Sequence, residues 1–147
     1  MAKGFTGGCL CGAVRYQSLV DPQFVAHCYC SDCRKLSGTG HSTHLVSSEQ
    51  GFDVVGELRF YEHTVDSGNV RSIGFCPNCG SHVYSTNSGK PGIVFPRASS
   101  LDDPEIAKPM MTVYASRAAS WDRIDPSIPS FSEMPEGGLD KIMADKA

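Results

Sequence analysis

His27-Cys28-Tyr29-Cys30-Ser31-Asp32-Cys33-Arg34-Lys35-Leu36-Ser37-Gly38 places three of the chain's seven cysteines within six residues. Two more precede it, Cys9 and Cys11, and two follow it, Cys76 and Cys79, so the triplet is bracketed by two pairs that can each chelate one ion. Seven thiols at these spacings suggest one closed four-thiolate site and one three-thiolate site whose last position is left to another ligand. That is how structural and catalytic zinc differ. Spacing alone does not say which pair joins which.

The rest of the composition narrows the setting. A chain of 147 residues has the usual size of one domain. Its 15 glycines and 9 prolines, with few long apolar stretches, favour short strands and many turns, hence an all-β reading. The segment Met1–Gly8 has no apolar core of signal-peptide length, and no uninterrupted apolar run is long enough to span a bilayer. The expectation is a soluble, cytoplasmic protein without a membrane partner. Disulfides do not persist in a reducing cytosol, so clustered cysteines there are more often metal ligands or redox centres, and the odd count agrees. The formal charge of −3 and dispersed basic residues argue against nucleic acid and for a small-molecule partner.

Working outward from the triplet, Gln23–Cys28 reads as a strand that delivers it. Ser31 or Asp32 is expected to cap one helical turn through Arg34-Lys35-Leu36, swinging Cys33 back towards the other sulfurs, with Gly38 and Gly40 ending the turn. Arg34 and Lys35 can offset thiolate charge or attract an anionic substrate, or serve as ordinary solvated charges. Upstream, Gly7-Gly8-Cys9-Leu10-Cys11-Gly12 reads as a bend entering a strand. In an ideal strand residues i and i+2 stand roughly 6.5–7 Å apart, wider than two sulfurs on one zinc prefer, and the glycines let the backbone close that gap.

Downstream, strands are expected at His41–Val46, Phe52–Val55 and Glu57–Tyr61. The turn Asp66-Ser67-Gly68-Asn69 sets Val70–Phe75 antiparallel to the last of these. Cys76-Pro77-Asn78-Cys79-Gly80 is the most specific local motif. Pro77 fixes φ, Gly80 can turn left-handed, and both sulfurs converge. A thioredoxin-like use of this motif needs a following helix, whereas Ser81–Ser85 reads as a strand. Then come a loop over Thr86–Pro91, a strand at Gly92–Pro96, a turn at Leu101–Pro104 whose two carboxylates act as caps, and a last strand at Met111–Tyr114. His27 is expected beside the metal or in the core. His41, His44, His63 and His82 have no ligand-like spacing to a cysteine and read as packed or surface residues.

The stretches Gly8–Tyr16, His27–Gly38 and Phe75–Ser81, with Ser116–Trp121 and Phe131–Pro135, resemble the glutathione-dependent formaldehyde-activating enzyme family, which includes the centromere protein V-like proteins. The resemblance implies a mainly β fold of Mss4-like antiparallel β-sheets with a zinc-bound core and few short helices. It also implies a single domain over residues 5–135, followed by a polar tail at 136–147. It assigns a structural zinc to Cys9, Cys11, Cys76 and Cys79, and a second zinc, where chemistry is expected, to Cys28, Cys30 and Cys33. The implied activity is that of a zinc-dependent carbon–sulfur lyase acting on the adduct of a glutathione-type thiol with an aldehyde. The alternatives are a non-catalytic zinc-binding module or a thiol redox sensor. One departure stands out: Pro109-Met110-Met111 is followed by Thr112 where many members place a histidine.

Overall fold

The computed structural model describes residues 3–138 and 141. Its strands are short, three to seven residues each, because turn residues interrupt every apolar run. The chain divides into two compact units. The first comprises the chain up to Pro22 together with Leu45–Ala107, and the second comprises Gln23–His44 and the chain from Lys108 onward.

In the first unit β1 (Phe5–Gly8), β2 (Arg15–Ser18) and β5 (Phe52–Val55) form an antiparallel sheet, with Phe5 opposite Ser18 and Ser18 opposite Phe52. The period of two is plain in β2, where Tyr16 and Ser18 are buried and Arg15 and Gln17 exposed. A second antiparallel layer runs in the order β4–β9–β8–β7–β6. It contains β6 (Arg59–Thr64), β7 (Val70–Phe75), β8 (His82–Asn87), β9 (Ile93–Pro96) and the last residues of β4 (Ser42–Ser48).

Aromatic rings join the two layers. Phe5 meets Tyr16, Tyr16 meets Phe52, Phe52 meets Tyr84 and Tyr84 meets Phe60, with centroids 5.1–6.2 Å apart. Ile73 on β7 and Val83 on β8 are fully enclosed, each contributing about 1.5–3 kcal/mol by leaving water.

The hairpin forms at the expected Asp66–Asn69 turn, where Gly68 has φ +90° and its N–H donates to the Val65 carbonyl at 2.8 Å. Several boundaries differ from the sequence reading, among them that of β4, which runs to Ser48 rather than Val46. β6 covers 59–64 rather than 57–61 and is almost wholly exposed, since it is the edge of its layer and has a hydrogen-bonded neighbour on one side only. β8 runs on to Asn87, into the expected loop, because Asn87 still pairs with Arg71.

In the second unit β3 (Phe24–Cys28) lies between β10 (Met111–Val113) and the first residues of β4. The expected antiparallel pairing holds for β1–β2, β2–β5, β4–β9, β6–β7, β7–β8 and β8–β9, whereas β10 runs parallel to β3, with Met111 opposite Ala26 and Val113 opposite Cys28. A parallel pair needs a long crossover, and here most of the chain lies between its strands.

The helix α1 spans Ser31–Ser37 and stops at Gly38, φ +78°. Its cap is neither Ser31 nor Asp32. Cys30, in extended conformation, takes that place, and its sulfur accepts the Cys33 N–H at 3.3 Å. Of the expected tail at 136–147, residues 139, 140 and 142–147 lie outside the described residues.

Of the two carboxylates in the Leu101–Pro104 turn, Asp103 caps the short 3-10 helix Pro104–Ile106 as expected. Asp102 instead forms an ion pair with Arg15 and accepts from the Thr6 hydroxyl at 2.7 Å. The Arg15 guanidinium, then Thr6, hold the Asp102 carboxyl down to about 2. Because this folded value lies below the usual unfolded value of ~3.9, the stabilisation is complete above about pH 4 and disappears as the pH falls through about 2. Both groups are almost half exposed, so the contribution is at most about 1 kcal/mol. Denaturation of Asp102→Asn is expected to show that deficit at neutral pH and to converge with the wild type as acid approaches pH 2.

Candidate metal centres

Cys9 and Cys11 escape the strand geometry that would hold their sulfurs apart. The Cys9 N–H donates to the Val14 carbonyl at 3.0 Å and the chain doubles back through Gly12, φ +82°. The two sulfurs end 3.6 Å apart, and Cys11 lies 3.8 Å from Cys76. In the Cys76–Gly80 turn the Gly80 N–H donates to the Cys76 carbonyl at 2.8 Å, with φ +77°. Ser81 ties the two segments, accepting the Leu10 N–H at 3.1 Å and standing 3.2 Å from the Cys79 sulfur.

All four sulfurs lie within 4.8 Å of one another. Sulfurs sharing one tetrahedral ion at ~2.3 Å each would stand about 3.8 Å apart, so the donor set fits a thiophilic metal ion. The Ser81 hydroxyl and N–H, followed by the Cys11 N–H, pull the Cys79 thiol down to about 5, a thiolate at neutral pH.

The second cluster is assembled from three adjacent pieces of backbone. Cys28 ends β3, Cys30 caps α1, and Cys33 lies buried in its first turn. Their sulfurs also lie within 4.8 Å of one another, and among the described residues no further Cys, His, Asp or Glu joins that group. Hydrogen bonding with Cys30, then with Cys33, then burial push the Cys28 thiol up. Three thiols this close cannot all lose their protons against one another's charge, whereas a divalent cation reverses that balance. This cluster too can hold a metal ion.

Around it the structure gathers residues that spacing did not connect to the cysteines. His44 Nε2 is 3.5 Å from the Cys33 sulfur and both side chains are buried. The reading of His44 as a packed residue without relation to a cysteine therefore misses its neighbour. No spacing rule reaches it, since α1 and the Gly38–Gly40 reversal carry the chain back before β4 begins.

His27 lies outside the sulfur group. Its Nδ1 meets the Thr43 hydroxyl at 2.8 Å and its ring abuts His41 at 4.9 Å. His41 stacks on Tyr29 and pairs through Nδ1 with Asp122 at 2.6 Å.

Tyr114, next after β10, has left-handed backbone at φ 57°, which no other described non-glycine residue adopts. Burial, then the charges of Cys28 and Cys30, push its phenol up. Thr112 is fully enclosed, and its hydroxyl has no hydrogen-bond partner among the described residues. His82 packs against Phe75 and His63 against Tyr61, and neither belongs to a sulfur group.

Known proteins bear on this arrangement in three ways. A family model described as glutathione-dependent formaldehyde-activating enzyme matches residues 4–117. The chain belongs to this family. A curated relative from Halomonas elongata, named after the same family, is 32% identical over 101 residues. That match covers 65% of this chain and 64% of the relative, so just under two thirds of the relative's length is spanned. A crystal structure of a Rhodobacter sphaeroides protein shares the fold with a TM-score of 0.52 at 17% identity, covering 85% of this chain and 98% of the other.

Gly40 makes the pairing of His41 with Asp122 sterically feasible, since a Cβ at this position would stand 2.1 Å from Asp122 Oδ2. Gly40→Ala is expected to cost about 1–3 kcal/mol in denaturant unfolding. An Asp122→Ala background should remove most of that penalty, as a double-mutant cycle would show.

Proposed function

We propose that this protein is a zinc-dependent enzyme of the carbon–sulfur lyase type, which makes or breaks the adduct of a small, glutathione-like thiol with an aldehyde. The observation that carries the reading is the contrast between a four-sulfur group and a three-sulfur group to which no other described ligand belongs. Family membership supports glutathione and formaldehyde as the substrate class. A single family model running through residues 4–117 of both compact units supports treating 5–135 as one functional domain.

In this reading Cys9, Cys11, Cys76 and Cys79 hold a structural zinc, and Cys28, Cys30 and Cys33 hold the second. When bound there, zinc supplies a soft Lewis-acidic position suited to a substrate sulfur. The chain's own residues do the remainder. α1 fixes Cys30 and Cys33 by its first hydrogen bonds, and burial of Cys33 keeps water from that side. Arg34 and Lys35, also on α1, offer positive charge to the carboxylates of a glutathione-type thiol. Tyr114, a phenol protonated at neutral pH and pushed further up by burial and the neighbouring sulfurs, can donate to an aldehyde oxygen. The step itself is redox-neutral. The thiolate sulfur bonds to the carbonyl carbon, the carbonyl π pair moves to oxygen, and the oxygen takes up a proton; lysis is the reverse. Holding the two reactants together is most of the task.

Cobalt substitution tests the reading. Glutathione should alter the sulfur-to-cobalt charge-transfer band, and the protein should accelerate exchange between free thiol plus aldehyde and their adduct. Cys33→Ser should return that exchange to background. An unchanged spectrum with no exchange across several aldehydes favours the non-catalytic zinc module instead. Cys76→Ser, by contrast, should lose one metal equivalent and lower Tm by more than about 5 °C, because structural zinc contributes folding energy directly.

A further inference from the structure

Strand alternation at the start of β4 sends neighbouring side chains opposite ways. Thr43 meets His27, whereas His44 meets Cys33. We propose that His44 donates its Nε2–H to the Cys33 sulfur and so tunes the metal held by Cys28, Cys30 and Cys33, without itself being a ligand. The inference rests on the metal-centre reading above and names a positioning residue for it.

Three observations carry it. First, the 3.5 Å separation of Nε2 from the Cys33 sulfur is a normal N–H···S distance, and a deprotonated sulfur can only accept, so the proton belongs on Nε2. Second, His44 stands outside the set of ligand atoms that lie within 4.8 Å of one another. A fourth corner of one tetrahedron would need its nitrogen within about 3.6 Å of all three sulfurs.

Third, both side chains are buried, Cys33 at 1% and His44 at 8% exposure, so the hydrogen bond is not diluted by water. Cys30 is treated alike, its sulfur accepting the Cys33 N–H at 3.3 Å. Two of the three sulfurs therefore have an N–H donor, one from backbone and one from His44.

The chemical consequence follows from charge. Three thiolates more than neutralise a divalent ion and make it a poor acceptor for a further anionic sulfur. Each N–H···S bond draws electron density from its thiolate and restores part of the ion's appetite for a fourth ligand. His44 thus adjusts the site for a substrate thiol and leaves the fourth position to it.

The test uses the full chain loaded with cobalt, as wild type, His44→Leu and His44→Gln. Removing the donor in His44→Leu should move the sulfur-to-cobalt charge-transfer band to lower energy and hasten chelator removal of one metal equivalent by about ten- to a hundredfold. His44→Gln, which keeps an N–H at similar reach, should recover both in part. A Leu variant with wild-type band and release rate overturns the inference, as does a Gln variant indistinguishable from Leu.

Should His44→Leu fail to fold, wild-type protein loaded with cadmium-113 decides by nitrogen-15 NMR. A protonated Nε2 without direct metal coupling supports the proposal, and a bare Nε2 strongly coupled to cadmium overturns it by making His44 a ligand. The two levels separate cleanly. Wild type that takes up metal only at the four-cysteine cluster removes the function reading and this inference together. Two bound equivalents and a thiol-responsive spectrum that ignores His44 remove only the inference.

Discussion

Sulfur crowding is the constraint on which this fold turns. Four thiols within 4.8 Å of one another repel as soon as they ionise, and Cys79 is held ionised by Ser81. A cation converts that repulsion into a crosslink. What a cation there would link is the layout of the first unit: β1 ends just before Cys9 and β2 begins just after the bend, while β7 ends at Phe75 and β8 begins at His82, either side of the Cys76–Gly80 turn. Four strand ends thus meet at one knot, and the sheets leave it in the directions that the two glycine-dependent reversals set. The aromatic chain from Phe5 to Phe60 packs the same two layers together through ring contacts.

The second cluster obeys the same electrostatics with a different mechanical outcome. Its sulfurs come from residues 28–33, so an ion there closes a loop of a few residues and ties together little that the backbone has not already joined. Cys30 serves two purposes, since the sulfur that belongs to the group also caps α1. Helix position and ligand position are therefore not independent, and motion of α1 alters the spacing of Cys30 and Cys33 together. A centre that contributes little to holding the fold, and is sensitive to a short helix, is suited to exchange a ligand.

Much of this was legible in the sequence because it is local. Glycines around Cys9 and Cys11, the Cys-Pro-Asn-Cys-Gly turn and the Asp66–Asn69 hairpin each declare their geometry within a few residues. The misreadings have two physical sources. One is chemical similarity at a fixed place: Ser31, Asp32 and Cys30 all compete for the helix cap, and Cys30 takes it, its backbone extended and its sulfur accepting the Cys33 N–H. The other is distance along the chain. Parallel pairing of β10 with β3, the Arg15–Asp102 ion pair and the meeting of His44 with Cys33 are decided by how separated segments pack, which no spacing rule encodes.

The parallel pair has a consequence at its end. Val113 lies opposite Cys28 and its carbonyl accepts the Tyr29 N–H at 3.1 Å; the ladder ends there, and Tyr114 leaves it by turning left-handed. Such backbone costs a non-glycine residue about 1–3 kcal/mol and persists only where neighbours over-determine it. Here they do. The Tyr114 N–H reaches Glu133 at 3.4 Å, the Ala115 N–H reaches Phe131 at 2.9 Å, and the Arg117 guanidinium lies 4.9 Å over the phenol ring while pairing with Glu133. Phe131 and Glu133, which lie in no strand, are thus what hold Tyr114 in its strained conformation. Since Cys28 and Cys30 are also the charges that raise its phenol, the strain falls beside the three-cysteine group and not in a remote turn.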